Sequence, residues 1–203
     1  GAGKTFTMQT MALRMRRKGI QVFIIAPLKG HEFYRAARNV GGEFIQISPA
    51  SKNCINIMEI RKVDNSVNEL LDGPTLDASA LAGKIQRLHI FFSLLIPDMS
   101  HEEKQLLDEA LIKTYARKGI THKNESLTDP QHPEQYKKMP ILEDVYNVLL
   151  ESEDTKRLAH ILNRLVHGSA SSFNQQTNVD LTNKYTVLDI SELTGSSDLL
   201  TVG

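Results

Sequence analysis

The chain has 203 residues, enough for one domain with a substantial core and a smaller second lobe. Apolar residues make up 40% and charged residues 24%, which excludes a wholly disordered chain. The 24 basic and 24 acidic side chains cancel, so net charge gives no support for a protein that works mainly on phosphate backbones. The single cysteine, Cys54, excludes an internal disulfide and a cysteine-based zinc site and favours a reducing compartment.

The chain begins with Gly1-Ala2-Gly3-Lys4-Thr5, which matches the second half of the phosphate-binding pattern G-x-x-x-x-G-K-[ST]. In that pattern, backbone N–H groups of a glycine-rich loop surround phosphates at the positive end of a helix. We therefore expect all five residues to bind a nucleotide. Lys4 is the expected catalytic cation at the β- and γ-phosphates, and the Thr5 hydroxyl is the expected ligand of Mg²⁺.

The residues after the motif provide the context that a phosphate-binding loop requires. Met8, Met11, Ala12 and Met15 recur at helical spacing on one face, and we interpret the methionine stripe on it as ordinary core packing. A helix ending at Gly19 is followed by residues 22–26 (VFIIA), which are typical of a buried parallel strand. Because the sequence begins inside the motif, we expect it to be a fragment of a longer chain.

A second helix and strand follow at once. Residues 31–40 are predicted to be helical, and residues 44–47 alternate like a strand. Alternating helices and strands with short joints predict a three-layer α/β fold with a parallel sheet. Ligands of such folds bind at the carboxyl ends of the strands.

From residue 76 the pattern becomes helical. Helices are predicted over 77–96, over the stretch opened by a capping box at Ser100, and over 140–150 and 154–167. This block is too long for a connection, so the sequence predicts an inserted all-α lobe.

Strand character returns at residues 185–190. The polar stretch 169–183 before it reads either as a surface loop or as a loop that faces DNA or a neighbouring subunit. The predicted domains are therefore a first part of the nucleotide-binding core at 1–63, a helical insertion at 64–168 and a return to the core at 169–203.

Other candidate functional residues are less specific. Asp189 ends an apolar strand and Glu32 follows an earlier one, so either is a candidate acid for the Mg²⁺ shell. The alternative is that Asp189 caps the next helix and Glu32 lies near a helix dipole. Arg157 and Arg164 are candidate arginine fingers or ordinary surface cations.

Five segments together resemble a known family. They are residues 1–19 (GAGKTFTMQTMALRMRRKG), 21–51 (QVFIIAPLKGHEFYRAARNVGGEFIQISPAS), 54–60 (CINIMEI), 167–181 (HGSASSFNQQTNVDL) and 183–193 (NKYTVLDISEL). They resemble the large cytoplasmic ATPase of conjugative type IV secretion systems, in the version found in conjugative transposons of Gram-positive bacteria.

The resemblance implies a RecA-like motor of the HerA/FtsK group that carries a helical insertion. It implies binding of ATP and Mg²⁺, association as a hexamer or smaller oligomer, and docking on other secretion components. The implied location is cytoplasmic, at the inner face of the membrane. In this family the acid of the Mg²⁺ shell comes from a later strand, so the resemblance implies that Asp189 is not that acid. The isolated chain is therefore expected to be inactive.

Two alternatives remain open at this stage. One is a non-hydrolysing module in which the helical lobe binds partners. The other is a DNA-pumping or coupling ATPase of the same superfamily, which keeps DNA open as a further partner. Zero net charge argues against the second, because movement along DNA needs many cationic contacts.

Overall fold

A computed structural model describes residues 2–17, 22–26, 31–47, 52–62, 79–168, 171–180 and 185–189. The chain divides into two compact units, one of residues 1–54 and 178–203 (unit 1) and one of residues 55–177 (unit 2). The sequence predicts three segments with separate roles, at 1–63, 64–168 and 169–203. This assignment of roles stays a prediction.

The described part of unit 1 contains a parallel sheet of three strands. They are β1 (Val22–Ala26), β2 (Glu43–Gln46) and β3 (Tyr185–Asp189), in the order β1-β3-β2. Both pairings are parallel, so the predicted α/β class with a parallel sheet is confirmed. The strand from the far end of the sequence lies in the middle, and its Tyr185 and Val187 are fully buried. Thr186 lies between them and is also fully buried, so both faces of this part of the strand are covered.

Two helices complete the described part of unit 1, α1 (Ala2–Arg17) and α2 (His31–Asn39). They pack on the sheet through a small cluster of buried side chains. Its members are Ala12, Phe33, Ala37, Tyr185 and Val187, with Leu13, Ile24, Val40 and Phe44 at its margin.

The predicted core role of the methionine stripe is wrong. Met8, Met11 and Met15 are 57%, 52% and 41% exposed, whereas Ala12 is 7% exposed. The buried face of α1 is turned so that Ala12 and Leu13 meet the cluster. The small Ala12 side chain permits close packing on the sheet. Hydrophobic spacing alone does not reveal which face of α1 points to the sheet.

The described part of unit 2 is mainly α-helical. Its helices are α3 (Ala80–Leu95), α4 (His101–Arg117), α5 (Leu142–Leu149) and α6 (Lys156–Val166). The predicted capping box is present, since Ser100 Oγ accepts from the Glu103 N–H at 3.1 Å and Glu103 Oε2 accepts from the Ser100 N–H at 2.9 Å. The helix it opens ends before Gly119, whose φ is +74°. The predicted helices of the lobe are therefore confirmed, with ends shifted by a few residues.

The helices of unit 2 share one apolar core. Its largest fully buried side chains include Leu81, Phe92, Leu107, Leu111, Tyr115, Leu142 and Leu149. The polar excursion between α4 and α5 returns on itself, with an antiparallel bridge between Thr128 and Tyr136.

Residues 171–177, named here the polar strap, bind the helices of unit 2. Phe173 is buried, and the Asn174 side chain bridges two helix ends. Its Oδ1 accepts from the Glu143 N–H at 2.7 Å, and its Nδ2 donates to the Val166 carbonyl at 3.2 Å. The polar composition of this segment therefore serves to satisfy backbone groups at helix ends.

Asn56 lies opposite the strap and is 3% exposed. Its Nδ2 donates to the Pro140 carbonyl at 2.8 Å and to Gln176 Oε1 at 3.1 Å. Its Oδ1 accepts from the Met58 N–H at 3.0 Å, and its own N–H donates to Thr177 Oγ1 at 3.0 Å. One buried amide thus joins three separate segments of unit 2.

Replacing Gly42 by Ala is expected to destabilise unit 1 by about 1–3 kcal/mol. A Cβ at Gly42 would lie 2.8 Å from both Cδ1 and the carbonyl oxygen of Tyr185. The matched control is Gly83→Ala in α3, where the added Cβ would meet only the Arg87 guanidinium at 3.6 Å. Gly83→Ala should stabilise unit 2 by about 0.5–1 kcal/mol, because alanine has a higher helix propensity than glycine. Urea denaturation of both variants checks the prediction; a neutral Gly42→Ala would contradict it.

A surface ion pair gives a pH prediction. Hydrogen bonds from Arg117 and then Lys113 lower the pKa of Glu151 from 4.5 to about 2. A lowered native pKa contributes stability above pH 4.5 that is lost as the pH falls towards 2. Because the pair is exposed, we expect a small effect. The free energy of unfolding, measured by urea denaturation, should change less with pH in this range for Glu151→Gln than for the wild type. The double variant Lys113→Met with Arg117→Met should show the same weaker dependence. An unchanged profile in both would refute the assignment.

Candidate nucleotide site

The predicted phosphate-binding residues lie at the N-terminal end of α1. The helix begins at Ala2, so Gly3, Lys4 and Thr5 lie in its first turns, where the sequence predicts a loop. Gly1 is outside the described residues, as are the side chains of Lys4 and Thr5. Their roles as nucleotide, catalytic and Mg²⁺ groups therefore stay predictions.

The carboxyl ends of the three strands are level with one another. The last residue of β1, Ala26, and the last residue of β2, Gln46, both pair with Asp189 at the end of β3. In open parallel sheets this edge is where ligands bind.

A hydrogen bond relates α1 to this edge. Gln9 Nε2 donates to the carbonyl of Glu32 at 3.1 Å, and Glu32 lies in the first turn of α2. Since α2 follows the carboxyl end of β1, the N-terminal half of α1 lies at the same edge of the sheet. A helix N-terminus there carries partial positive charge, which fits a phosphate group. Sequence reasoning missed Gln9, because a side chain that binds a distant carbonyl has no local signature.

The two candidate acids occupy different positions at this edge. Asp189 ends the middle strand, and its carboxylate is outside the described atoms. Glu32 is exposed in the first turn of α2, as the helix-dipole alternative expects. Neither position by itself identifies a metal ligand.

Arg157, a candidate arginine finger, is held within unit 2. Its guanidinium donates to Glu103 at 2.6 and 2.8 Å and to Asp98 at 2.6 Å. These hydrogen bonds raise the pKa of Arg157. The Ser100 N–H and then Arg157 lower the pKa of Glu103. The arrangement supports a structural role at the start of α4, and Arg164 lies partly exposed on α6.

Two features are absent from the part of the chain that the structure describes. Within it, no three His, Cys, Asp or Glu side chains are grouped as metal ligands would be. None of its helices combines the length and apolar character needed to span a bilayer.

Comparison with solved structures relates the chain to the ATPases of type IV secretion systems. One matching structure is VirB4 of Thermoanaerobacter pseudethanolicus, with a TM-score of 0.62 and 27% sequence identity. The match covers 95% of this chain and 68% of that one. No family model and no curated protein sequence matches the chain. The resemblance to type IV secretion ATPases seen in the sequence is confirmed by this match, which spans both units.

Proposed function

We propose that the protein is a motor ATPase domain of a conjugative type IV secretion system, with a RecA-like core. The observation that carries the proposal is the Gly-Lys-Thr sequence at the start of α1, beside the carboxyl edge of a parallel sheet. The structural match to VirB4 over 95% of the chain supports it.

The roles follow from the chemistry of the motif. Backbone N–H groups of Gly1, Ala2 and Gly3 bind phosphate oxygens, and the Lys4 ammonium neutralises the β- and γ-phosphates. The Thr5 hydroxyl holds Mg²⁺, which supplies charge neutralisation when bound. Hydrolysis is coupled to apparatus assembly or to transfer of DNA or protein.

The same proposal covers partners and location. Other secretion components and further copies of the chain, as a hexamer, are the partners, and the protein works in the cytoplasm at the inner face of the membrane. A DNA-pumping motor of the same superfamily predicts in addition that DNA stimulates hydrolysis.

The test is Mg²⁺-dependent ATP turnover by the 203-residue chain and by a longer form extended at both ends, with and without single-stranded and duplex DNA. Turnover by the longer form supports the proposal, and stimulation by DNA assigns the pumping function. If neither form binds MgATP, the proposal fails. The non-hydrolysing interaction module then replaces it, supported by the separate core and polar network of unit 2.

A further inference from the structure

Unit 2 has an open cleft of about 420 Å³. Its walls are residues 59–62, residues 134–139 and Gln176, and we name it the basic cleft. Its volume lies within the range of roughly 300–1,000 Å³ that is usual for ligand sites. All of its lining residues belong to unit 2, and none of the predicted phosphate-binding residues is among them.

The charges of the cleft are unequal although the chain as a whole is neutral. Four cations line it, Arg61, Lys62, Lys137 and Lys138, against two acids, Glu59 and Glu134, an excess of two positive charges. Among the acids, Glu59 is already engaged, because its Oε2 accepts from the Thr177 hydroxyl at 2.8 Å. The exposed acid is Glu134.

Lys84, which does not line the cleft, interacts electrostatically with two residues that do, Glu59 and Arg61. Burial, and then the charge of Arg87, lower the pKa of Lys84 on α3 to about 8; Glu59 opposes the shift and Arg61 adds to it. Lys84 therefore stays mostly protonated at pH 7 in a region where positive charge already accumulates. An anion in the cleft would relieve this repulsion.

Internal hydrogen bonds hold the walls in place. Lys62 Nζ donates to the Glu134 carbonyl at 3.2 Å, which joins one wall to the other. Lys137 Nζ donates to the Gly119 carbonyl at 2.9 Å. Each ammonium has three N–H groups, so both lysines retain donors for a ligand. Such preorganisation lowers the entropic cost of binding.

We propose that the basic cleft binds an acidic peptide segment of a protein partner. The lysines match a few separated carboxylates, while the exposed Gln135 offers an amide for the backbone of a peptide. A nucleic acid is less well matched, since a continuous row of phosphates would pass Glu134 and needs many cations. The cleft does not depend on nucleotide binding.

The test uses the full chain and a short fluorescein-labelled peptide of alternating Glu and Ser, followed by fluorescence anisotropy at low and moderate salt. The wild type should bind with an affinity that falls with salt. Lys62→Glu with Lys138→Glu should weaken binding about tenfold or more. The matched control, Lys104→Glu with Lys52→Glu, changes charge equally at exposed positions outside the cleft and should bind as the wild type does.

A gain-of-binding variant guards against misfolding. Glu134→Gln removes the exposed acid and should tighten peptide binding. No binding by the wild type, or equal loss in the cleft and control variants, would overturn the proposal. A single-stranded oligothymidylate that binds the wild type more tightly and displaces the peptide would overturn it in favour of nucleic acid. None of these results bears on MgATP turnover, so the proposed ATPase function stands or falls separately.

Discussion

Replacing Lys4 by Ala is expected to weaken MgATP binding by about ten- to a hundredfold and to abolish measurable turnover in the longer form. Losing a charge-assisted hydrogen bond costs about 1.5–3 kcal/mol, which corresponds to this change in affinity. The same charge is needed when negative charge develops during phosphoryl transfer, so turnover should fall more than binding. Titration with a fluorescent ATP analogue and a phosphate-release assay measure the two effects.

The control for Lys4→Ala lies on the same helix. Arg14 is exposed on α1, and Arg14→Ala removes one positive charge without touching the motif. It should leave binding and turnover unchanged. If both variants lose affinity equally, the helix binds ATP only through its overall charge, and the specific role of Lys4 is wrong.

Thr5 provides an independent check of the Mg²⁺ assignment. Thr5→Val keeps the shape and removes the hydroxyl, so turnover should require more Mg²⁺, whereas Thr5→Ser keeps the hydroxyl and should restore the normal requirement. An unchanged Mg²⁺ dependence in Thr5→Val would remove Thr5 from the metal site.

Replacing Asn56 by Leu is expected to lower the free energy of unfolding by about 3 kcal/mol. The substitution leaves the Met58 N–H and the Pro140 carbonyl without their buried partner, and each such group costs about 1–3 kcal/mol. The extra apolar surface of leucine recovers only part of this cost. Urea denaturation followed by far-UV circular dichroism measures the loss.

The matched control for Asn56 is Asn147→Leu. Asn147 is exposed on α5, so the same chemical change should alter stability by less than about 0.5 kcal/mol. Equal effects at the two positions would show that the buried network contributes nothing specific.

The elements of the fold were largely predictable because their signals are local. Ser100 and Glu103 form a capping box three residues apart, and the strand at β1 is a short branched run between breakers. The position of β3 between β1 and β2 was not predictable, since sheet order depends on contacts that span most of the sequence.

The functional features divide in the same way. Gly-Lys-Thr is recognisable as a motif, whereas the contact of Gln9 with the Glu32 carbonyl appears only when two helices meet. The core position predicted for the methionine stripe was wrong, because hydrophobic spacing does not determine which side of a helix faces the sheet. The basic cleft brings Lys62 and Lys138 together from distant segments.

The placement of β3 in the middle of the sheet has a consequence for biosynthesis. During translation β1 and β2 leave the ribosome before unit 2, and β3, the strand with which both pair in the described sheet, follows only after unit 2. Unit 2 has mainly helical, more local contacts and is expected to fold first. Until β3 arrives, the edges of β1 and β2 lack the strand that joins them, which makes the nascent chain a substrate for chaperones.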